Sequence, residues 1–302
     1  MRVGFIGTGS IGEPMGRQLL ADNELVVHDA RPEAAAGLRE LGAEWADSPR
    51  DVAATSRVVV TSLPGPAEVE AVVTGPDGLL AATQPGDIHI DLSSNSLAMV
   101  QRLHAEEGAR GVIYLDCPVT GGVRRARRGA LTLLASGDRD AFDRVEPLLQ
   151  AIGEHVFYVG EVGSGCLTKL VNNLIVLCSG QLVQEGLILG TKLGLDPARL
   201  HEMLKVGSAA PHVGLMPYML GRRFDDPTFT LALASKDVGL ALEAARDAGV
   251  AMPVTAAAHQ TYLAAIARGL GDQSFLATQI PLEQGAGVEV PRIETDEGSK
   301  RL

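Results

Sequence analysis

Short apolar runs alternate with helical stretches over roughly the first 160 residues of the chain. The run at 2–7 predicts a strand, and the pattern from Ile11 to Ala21 predicts a helix. Further runs with the length of buried strands lie at 24–29, 57–63, 87–93, 114–119, 130–136 and 155–160. Strands that alternate with helices of this length predict a parallel, doubly wound sheet in this part of the chain.

The second part of the chain shows only helical periodicity. Between Cys166 and Gly194 glycines are almost the only helix breakers, so this segment predicts one long helix of about 40 Å at 1.5 Å per residue. Asp196 before Pro197 is a helix-start signal, and no strand pattern follows it. We therefore predict an α/β domain at 1–163, a long interdomain helix at 164–194, an all-α domain at 195–288 and a disordered polar tail at 289–302.

The composition supports a large aliphatic core. Hydrophobic residues make up 46% of the 302 residues and charged residues 21%, which argues against global disorder. Aromatic residues are only 4%, and an aliphatic core suits a parallel sheet flanked by helices. The formal net charge of −11 repels polyanions, so we expect no nucleic-acid partner and no membrane partner.

Signals for targeting and for metal binding are weak. No uninterrupted apolar run reaches the roughly 18 residues of a membrane span, and the apolar stretch after Arg2 is too short for a secretion signal. Cys117, Cys166 and Cys178 lack paired or metal-type spacing, and so do the histidines. We expect reduced thiols, a cytoplasmic protein and no metal site.

A glycine pattern stands where the first predicted strand passes into the first helix. It reads Gly7-x-Gly9-x-x-Gly12. The first glycine permits the tight turn, the second lets the backbone approach a pyrophosphate, and the third lets the helix pack on the strand. The pattern predicts a Rossmann-type dinucleotide site, and the alternative is a glycine-rich turn without a ligand. The predicted cofactor contacts here are Gly7, Thr8, Gly9, Ser10, Ile11 and Gly12.

An acid closes the second predicted strand. Asp29 follows Gly7 by 22 positions (29 − 7), and an acid at this place bonds the ribose hydroxyls and repels a 2′-phosphate. We therefore predict NAD as the cofactor, with NADP as the alternative. Ala30 and Arg31 extend the predicted contact. Arg31 is expected along the adenine or in solvent, and a contact to a phosphate is its other possible role.

Four motifs occur in one order along the chain: GFIGTGSIGEPMG at 4–16, DCPVTGG at 116–122, GSGCLTKLVNN at 163–173 and SKD at 235–237. Together they resemble the β-hydroxyacid dehydrogenase family, which includes 3-hydroxyisobutyrate dehydrogenases and tartronate semialdehyde reductases. The resemblance covers about residues 1–285. It implies a nicotinamide-dependent oxidoreductase, a small anionic hydroxy-acid or semialdehyde substrate, and a homodimer or homotetramer.

The resemblance also implies a role for each matching position. Lys169 matches the family's catalytic lysine. The positions that match substrate-binding residues are Thr120, Gly121, Gly122, Asn172 and Asn173. The positions that match further cofactor contacts are Leu63, Pro64, Glu68, Ser94 and Lys236, and Asp237 accompanies the last of them.

The physical chemistry of these residues agrees with those roles. Lys169, Asn172 and Asn173 are spaced i, i+3 and i+4, so they share one face of the predicted helix. A lysine that loses hydration there should have a lowered pKa, which suits a general acid and base. Amide side chains donate and accept without adding charge, and the N–H groups of Gly121 and Gly122 can bind an anion. The alternative is a lysine whose ammonium group simply extends to water.

The segment after the carboxylate motif departs from the family pattern. Four arginines occupy five positions, Arg124, Arg125, Arg127 and Arg128, and Ala130 stands where the family has threonine. One interpretation is a second acidic group on the substrate. The interpretation we favour is a loop that faces solvent or another subunit.

The sequence therefore predicts an α/β protein with an N-terminal Rossmann-type doubly wound sheet and an all-helical C-terminal domain, joined by a long helix. Its predicted reaction interconverts a small 3-hydroxy acid and its semialdehyde with NAD and lysine catalysis. Candidate substrates are 3-hydroxyisobutyrate, 3-hydroxypropionate and glycerate. The alternatives are an imine reductase on the same fold, against which Lys169 counts, and a non-catalytic NAD-binding scaffold, which would not need the lysine and both asparagines.

Overall fold

The computed structural model describes residues 1–294 and has two compact units, Met1–Leu170 and Val171–Leu302. The first unit contains the sheet, and the second is helical. These features confirm the predicted fold class. The division falls inside a long helix, Ser164–Lys192. The boundaries that we drew from the sequence stay predictions.

The first unit contains a mixed sheet of nine strands. The strands are β1 (Arg2–Ile6), β2 (Glu24–His28), β3 (Glu44–Trp45), β4 (Val58–Thr61), β5 (Ile88–Asp91), β6 (Ile113–Asp116), β7 (Val119–Thr120), β8 (Leu131–Gly137) and β9 (Gly153–Gly160). Their order is β3-β2-β1-β4-β5-β6-β8-β7, and β9 pairs with β8. The order reverses between β1 and β4, which is the switch point of a doubly wound sheet.

The sheet corrects two details of the sequence prediction. The run at 114–119 is broken into β6 and β7 at Cys117 and Pro118, because proline has no N–H group for a strand ladder. Both pieces pair antiparallel with β8, so the sheet is not purely parallel. The two-residue strand β3 is too short for a periodicity to reveal it.

Helices connect most of the strands of the first unit. They are α1 (Gly12–Leu20), α2 (Ala36–Glu40), α3 (Pro49–Thr55), α4 (Pro66–Thr74), α5 (Leu97–Gly108), α6 (Gly122–Ala126) and α7 (Arg139–Ile152), with 3-10 turns at Pro32–Ala35 and Leu79–Ala81. Side-chain caps explain several starts: Ser48, Ser96 and Asp138 each accept an N–H of the helix that follows. The core of this unit is aliphatic and includes Val3, Val27, Ile90 and Leu133.

The helix α8 (Ser164–Lys192) is continuous over 29 residues and begins in the first unit. It is long and apolar enough to cross a bilayer by length and composition alone. That criterion is also met by core helices of soluble proteins, and Leu177 and Leu187 of α8 do pack in the core of the second unit. Length and composition therefore do not identify α8 as a membrane span.

The second unit is built from helices around one core. After α8 come α9 (Pro197–Leu204), α10 (Met216–Gly221), α11 (Leu231–Asp247), α12 (Pro253–Ile266) and α13 (Gln279–Ala286), with 3-10 turns at Ala210–Leu215 and Phe275–Thr278. The Asp196 side chain accepts from Ala198 and Arg199 N–H groups, which confirms the predicted start signal. Of the predicted tail 289–302, Val290 is buried and the Ile293 N–H donates to the Leu220 carbonyl. Positions 295–302 lie outside the described residues.

Candidate active site

The glycine loop lies between the end of β1 and the start of α1, as predicted. Gly7 has a φ of +94° and donates its N–H to the His28 carbonyl at 3.0 Å. A Cβ on Gly7 would overlap the Ser62 carbonyl, and a Cβ on Gly12 would overlap the Gly7 carbonyl. Both positions therefore require glycine for the fold itself.

Gly9 differs from its two neighbours in the pattern. Within residues 1–294, a Cβ built on it would meet only one atom within 4 Å, the Nη2 of Arg31 at 4.0 Å. Packing in this part of the chain therefore does not demand glycine at this position. Open space above a glycine backbone at a helix N-terminus fits the close approach of a pyrophosphate, so the residues present fit a dinucleotide.

Asp29 lies just beyond β2, at the carboxyl end of the neighbouring strand. Its Oδ2 accepts from the Thr8 N–H at 2.8 Å and from the Thr8 hydroxyl at 3.3 Å. Its Oδ1 accepts from the Arg31 N–H at 2.9 Å. These bonds fix the carboxylate beside the glycine loop. The Arg31 side chain is exposed and extends back toward Gly9.

The other predicted cofactor residues of the first unit follow the ends of β4 and β5. The Leu63 N–H donates to the Ser93 hydroxyl at 2.9 Å, which ties these two loops together. Glu68 is exposed in the first turn of α4, Pro64 is exposed before it, and Ser94 is half-buried. The strands β2, β1, β4 and β5 are neighbours and parallel, so their carboxyl ends place these residues on one edge of the sheet.

The DCPVTGG segment leaves the same edge after β6. Gly121 has a φ of +125° and Gly122 a φ of +71°, and both values favour glycine. Among the described residues, a Cβ on Gly122 would meet nothing within 4 Å, whereas one on Gly121 would lie 2.9 Å from Arg125 Cδ. The open space therefore lies beside Gly122, and successive backbone N–H groups in a turn can bind an anion. Thr120 before the two glycines is half-buried.

The arginine-rich segment begins in α6. Arg125 forms an ion pair with Glu154 at 2.9 Å. Arg124, Arg127 and Arg128 are exposed. This pairing gives Arg125 a partner within the protein, so Arg124 is the better candidate of the two for a contact with a substrate.

The lysine and both asparagines lie on one half-buried face of α8. Asn172 Nδ2 donates to Asn173 Oδ1 at 3.0 Å. Asn173 Nδ2 donates to Asp237 Oδ2 at 2.6 Å. Asp237 is buried in α11, and its other oxygen lies 2.8 Å from Lys236 Nζ. Asp237 therefore sets the orientation of Asn173, and Asn173 sets that of Asn172.

A buried polar network adds residues that the sequence did not single out. Asp91 accepts from the Thr61 and Tyr114 hydroxyls and from Asn95 Nδ2 at 2.8, 3.3 and 3.2 Å. Beside it, His89 Nδ1 lies 2.8 Å from Glu107 Oε1. Burial alone would lower the pKa of His89, but the charge of Glu107 and its hydrogen bond raise it. In the sequence, the one indication of this network is that polar residues interrupt a strand whose other residues are apolar.

The cysteines of the first unit, Cys117 and Cys166, are buried in the protein. Cys117 is fully buried, and burial raises its pKa well above the ordinary value for a thiol, with the charge of Asp116 adding to the effect. Such a thiol is a poor nucleophile. Within residues 1–294, no group of three or more His, Cys, Asp or Glu side chains is placed to hold a metal ion.

The glycine loop and Asp29 fit a dinucleotide, and comparisons with known proteins define the class of this protein. It is a nicotinamide-dinucleotide-dependent hydroxyacid dehydrogenase. Residues 2–160 match the model of the NAD-binding domain of 6-phosphogluconate dehydrogenase, and residues 163–279 match the NAD-binding model of NADP-dependent 3-hydroxyisobutyrate dehydrogenase. The chain belongs to the β-hydroxyacid dehydrogenase family.

Individual relatives agree with this assignment. The chain is 34% identical to 2-(hydroxymethyl)glutarate dehydrogenase of Eubacterium barkeri, over 96% of this chain and 97% of that one. A solved structure of Mycobacterium tuberculosis 3-hydroxyisobutyrate dehydrogenase with L-serine is similar, with 29% identity, a TM-score of 0.83 and coverage of 93% and 98%. Another, Psf3 in complex with NADP+ and 2-OPP, has 29% identity, a TM-score of 0.81 and coverage of 93% and 99%.

Proposed function

We propose that the protein interconverts a small 3-hydroxy acid and its semialdehyde with NAD, and that Lys169 is the general acid and base. The observation that carries this proposal is the half-buried face of α8, on which Lys169 is followed by two asparagines whose orientation is fixed from Asp237. A scaffold that only bound NAD would gain nothing from that arrangement. An imine reductase would not need this lysine.

Bound NAD would accept the hydride from the carbon that carries the substrate hydroxyl. Lys169 in its neutral form takes the hydroxyl proton on Nζ, so the carbon–oxygen single bond becomes a carbonyl. In the reverse direction the protonated Nζ returns that proton. We propose that partial desolvation lowers the pKa of Lys169, because a half-buried ammonium group loses hydration.

The asparagines hold the substrate without adding charge. Since Asn173 uses its amino group for Asp237 and its carbonyl for Asn172, its amide cannot flip without losing both bonds. Thr120, Gly121 and Gly122 are proposed to bind the substrate carboxylate. Support comes from the two positive φ values and from the open space at Gly122.

NAD is the proposed cofactor because hydrogen bonds fix the carboxylate of Asp29 beside the glycine loop, and an acid after the second strand would bond the ribose hydroxyls and repel a 2′-phosphate. The Arg31 guanidinium near Gly9 favours a phosphate contact more than the sequence suggested. We assign that contact to the pyrophosphate, which a dinucleotide of either kind contains. Lys236 is proposed as a further cofactor contact.

The substrate class remains that of 3-hydroxy acids, with 3-hydroxyisobutyrate, 3-hydroxypropionate and glycerate as first candidates. The relative named for 2-(hydroxymethyl)glutarate supports testing a dicarboxylic substrate as well. Arg124 would then meet the second acid group, since it is exposed in the first turn of α6, two residues after Gly122.

The test is a screen of mono- and dicarboxylic 3-hydroxy acids with NAD and with NADP, followed by absorbance of the reduced cofactor. We expect turnover of at least one 3-hydroxy acid, and faster turnover with NAD. An Arg124→Ala variant should lose activity on dicarboxylates selectively if Arg124 binds the second acid group. Activity on cyclic imines without activity on any hydroxy acid would favour an imine reductase, and no turnover at all would favour a scaffold.

We also propose that the protein is a homo-oligomer held together through α8. Val171, Ile175, Cys178, Leu182 and Leu189 follow the heptad spacing of a helix–helix seam. Leu182 is 70% exposed and Leu189 62% exposed, and the exposed Glu185 occupies the seam position between them. Exposed apolar side chains along one helix face indicate a protein contact. A second copy offers the same seam, so two α8 helices can pair about a two-fold axis.

Light scattering after gel filtration tests the oligomer. The native chain of 31.6 kDa should elute as a dimer or larger assembly. A Leu182→Glu, Leu189→Glu double variant should elute as a monomer of unchanged helix content. A monomeric native protein would contradict the proposal.

A further inference from the structure

Asp116, the first residue of the DCPVTGG segment, is buried at the carboxyl end of β6 and is 1% exposed. Its Oδ2 accepts from the Cys166 N–H at 2.7 Å and from the Ser136 hydroxyl at 3.1 Å. The Ser136 hydroxyl in turn accepts from the Gly165 N–H at 3.0 Å. Two consecutive N–H groups in the first turn of α8 therefore donate to the side chains of Asp116 and Ser136. A capping residue next to the helix start does not accept them.

The first turn of α8 is also packed directly on the sheet. A Cβ on Gly165 would overlap the Leu134 carbonyl and lie 3.1 Å from Asp116 Oδ2. The Cys166 thiol lies 3.2 Å from the Asn95 carbonyl. These contacts fix the start of the helix against β6, β8 and the loop after β5.

Asp116 stands between the two parts of the chain that are proposed to handle the substrate. Lys169 follows Cys166 by three residues, so it lies about 4.5 Å farther along the helix axis. Gly121 follows Asp116 by five residues in the segment that is proposed to bind the carboxylate. One side chain therefore connects the start of the lysine helix to the start of the carboxylate segment.

We propose that Asp116 is a positioning residue for hydride transfer: its ionised carboxylate holds the first turn of α8, and so places Lys169 relative to Thr120 and the glycine pair. The proposal rests on the function proposed for Lys169. An ionised carboxylate suits this position because it accepts backbone N–H groups and faces the positive end of the helix dipole. A protonated carboxyl group carries a hydrogen that has no acceptor among those N–H groups.

The protonation state of Asp116 is set by opposing influences. Burial raises its pKa, the Cys166 N–H lowers it, Asp91 raises it, and Ser136 and the Gly163 backbone lower it, with a result of about 7. The other titratable groups around it are Tyr114 and Cys117 on its own segment and Cys166 on α8. Asp116 is thus expected to gain a proton as the pH falls through the neutral range, and activity should fall with it.

Protonation of Asp116 should lower activity but stabilise the folded protein. These opposite effects distinguish a positioning role from a purely structural role. The folded pKa of Asp116 lies above its ordinary value of 3.8, so the folded state binds more protons than the unfolded state between these values. The free energy of unfolding therefore decreases as the pH rises through this window. At pH 8 the buried charge opposes folding, although the proposed positioning role requires it.

The experiment compares Asp116→Asn and Ser136→Ala with the native enzyme, through kcat and KM between pH 5.5 and 9, NADH binding and thermal unfolding. Asp116→Asn keeps the shape and an acceptor for the Cys166 N–H. For Asp116→Asn we expect equal or higher thermal stability at pH 8, unchanged NADH binding and a kcat lowered by about 10-fold to 100-fold. The decrease of kcat below about pH 7, the acidic limb of the pH profile, should be lost in this variant. A structural role alone would lower stability and leave the pH profile of kcat unchanged.

Ser136→Ala keeps the charge of Asp116 but removes one bond to its ionised form. The acidic limb should therefore move to higher pH in this variant. If Asp116→Asn does not fold, the shift of the acidic limb in Ser136→Ala is by itself the test of the positioning role of Asp116. A limb that stays in place in both variants, as it would if Lys169 alone produced it, overturns the proposal. Absence of any hydroxy-acid turnover in the native enzyme would instead overturn the proposed function.

Discussion

The amide of Asn173 lies 2.6 Å from a carboxylate oxygen of Asp237, a residue 64 positions away and buried in α11. This bond fixes which end of the Asn173 amide faces Asn172 and which faces the acid. The orientation of the asparagine pair is therefore imposed from the helical unit and is not set by α8 alone.

Replacement of Asp237 by Asn should disturb that orientation with little change in volume. A neutral amide is a weaker acceptor than a carboxylate, so we expect kcat/KM for the hydroxy acid to fall by about tenfold or more. Steady-state kinetics with varied substrate and varied NAD measure this. Asp247→Asn, an exposed position at the end of the same helix, is the control. If only the KM for NAD changed, the role of Asp237 would lie with Lys236 instead.

Replacement of Lys169 by Met should remove the general acid and base and keep most of the side-chain length. We expect kcat to fall by about 10²-fold to 10⁴-fold, while NADH binding stays unchanged. Stopped-assay turnover and fluorescence titration with NADH measure the two quantities. Lys192→Met, on the same helix, provides the matched control. Native turnover in the Lys169 variant would remove the basis of the proposed mechanism.

The glycine loop offers a pair of variants with opposite expected defects. Gly12→Ala forces a Cβ into the Gly7 carbonyl, so it should lower the melting temperature strongly or prevent folding. Gly9→Ala meets no backbone atom of the described residues within 4 Å, so it should melt within about 2 °C of the native chain. Its Cβ would occupy the space proposed for the pyrophosphate, and NADH affinity should fall by about tenfold or more. Normal NADH binding by Gly9→Ala would place the cofactor elsewhere.

The sequence predicted those features that local pattern determines. The turn at Gly7 and the helix that follows need only the spacing of glycines and apolar residues, and the cap at Asp196 needs only its neighbours. The strand direction of β8 could not be predicted, because alternation of apolar residues is the same in parallel and antiparallel strands. Pro118 can be seen in the sequence, but whether it divides the run 114–119 into two strands depends on how that run pairs with β8.

The functional roles of buried acids were beyond a linear sequence. Asp116 reaches Cys166 across 50 positions, and Asp237 reaches Asn173 across 64. Nothing in the spacing of these residues indicates contact, since the sheet and the helical bundle must form before the side chains meet. The sequence thus predicted that Lys169 and the two asparagines share one helix face, and their roles stay predictions. It gave no sign of the contact between Asp116 and the start of that helix.

Cofactor preference can be tested at Asp29. Replacement by Asn removes the negative charge and keeps one acceptor oxygen, which can serve either the Thr8 or the Arg31 N–H group but not both. We expect the ratio of kcat/KM with NADP to that with NAD to rise by about tenfold, because repulsion of the 2′-phosphate is lost. Initial rates with both cofactors measure the ratio. A native enzyme that already prefers NADP would contradict the assignment of NAD.

The buried pair of His89 and Glu107 makes a prediction about stability and pH. The pKa of His89 is raised above its ordinary value of 6.5, so the pair stabilises the folded state fully below about pH 6.5 and loses that contribution as the pH rises through the folded pKa. Glu107→Gln should therefore lower the free energy of unfolding most at low pH. We expect a loss of about 3 kcal/mol in the free energy of unfolding at pH 6, and a smaller loss at pH 9, measured by urea denaturation.

The comparison between variants isolates this pair from other buried acids. Asp116 also titrates near neutral pH, but it is present in both proteins and its contribution cancels in the difference at each pH. Glu106→Gln is the control, because Glu106 lies beside Glu107 in α5 with its side chain 42% exposed, paired only with Arg102 at 3.9 Å among the described residues. A loss for Glu107→Gln that is the same at pH 6 and pH 9 would mean that His89 is neutral in the folded protein throughout. The contact with Glu107 would then be an ordinary hydrogen bond whose strength does not depend on pH.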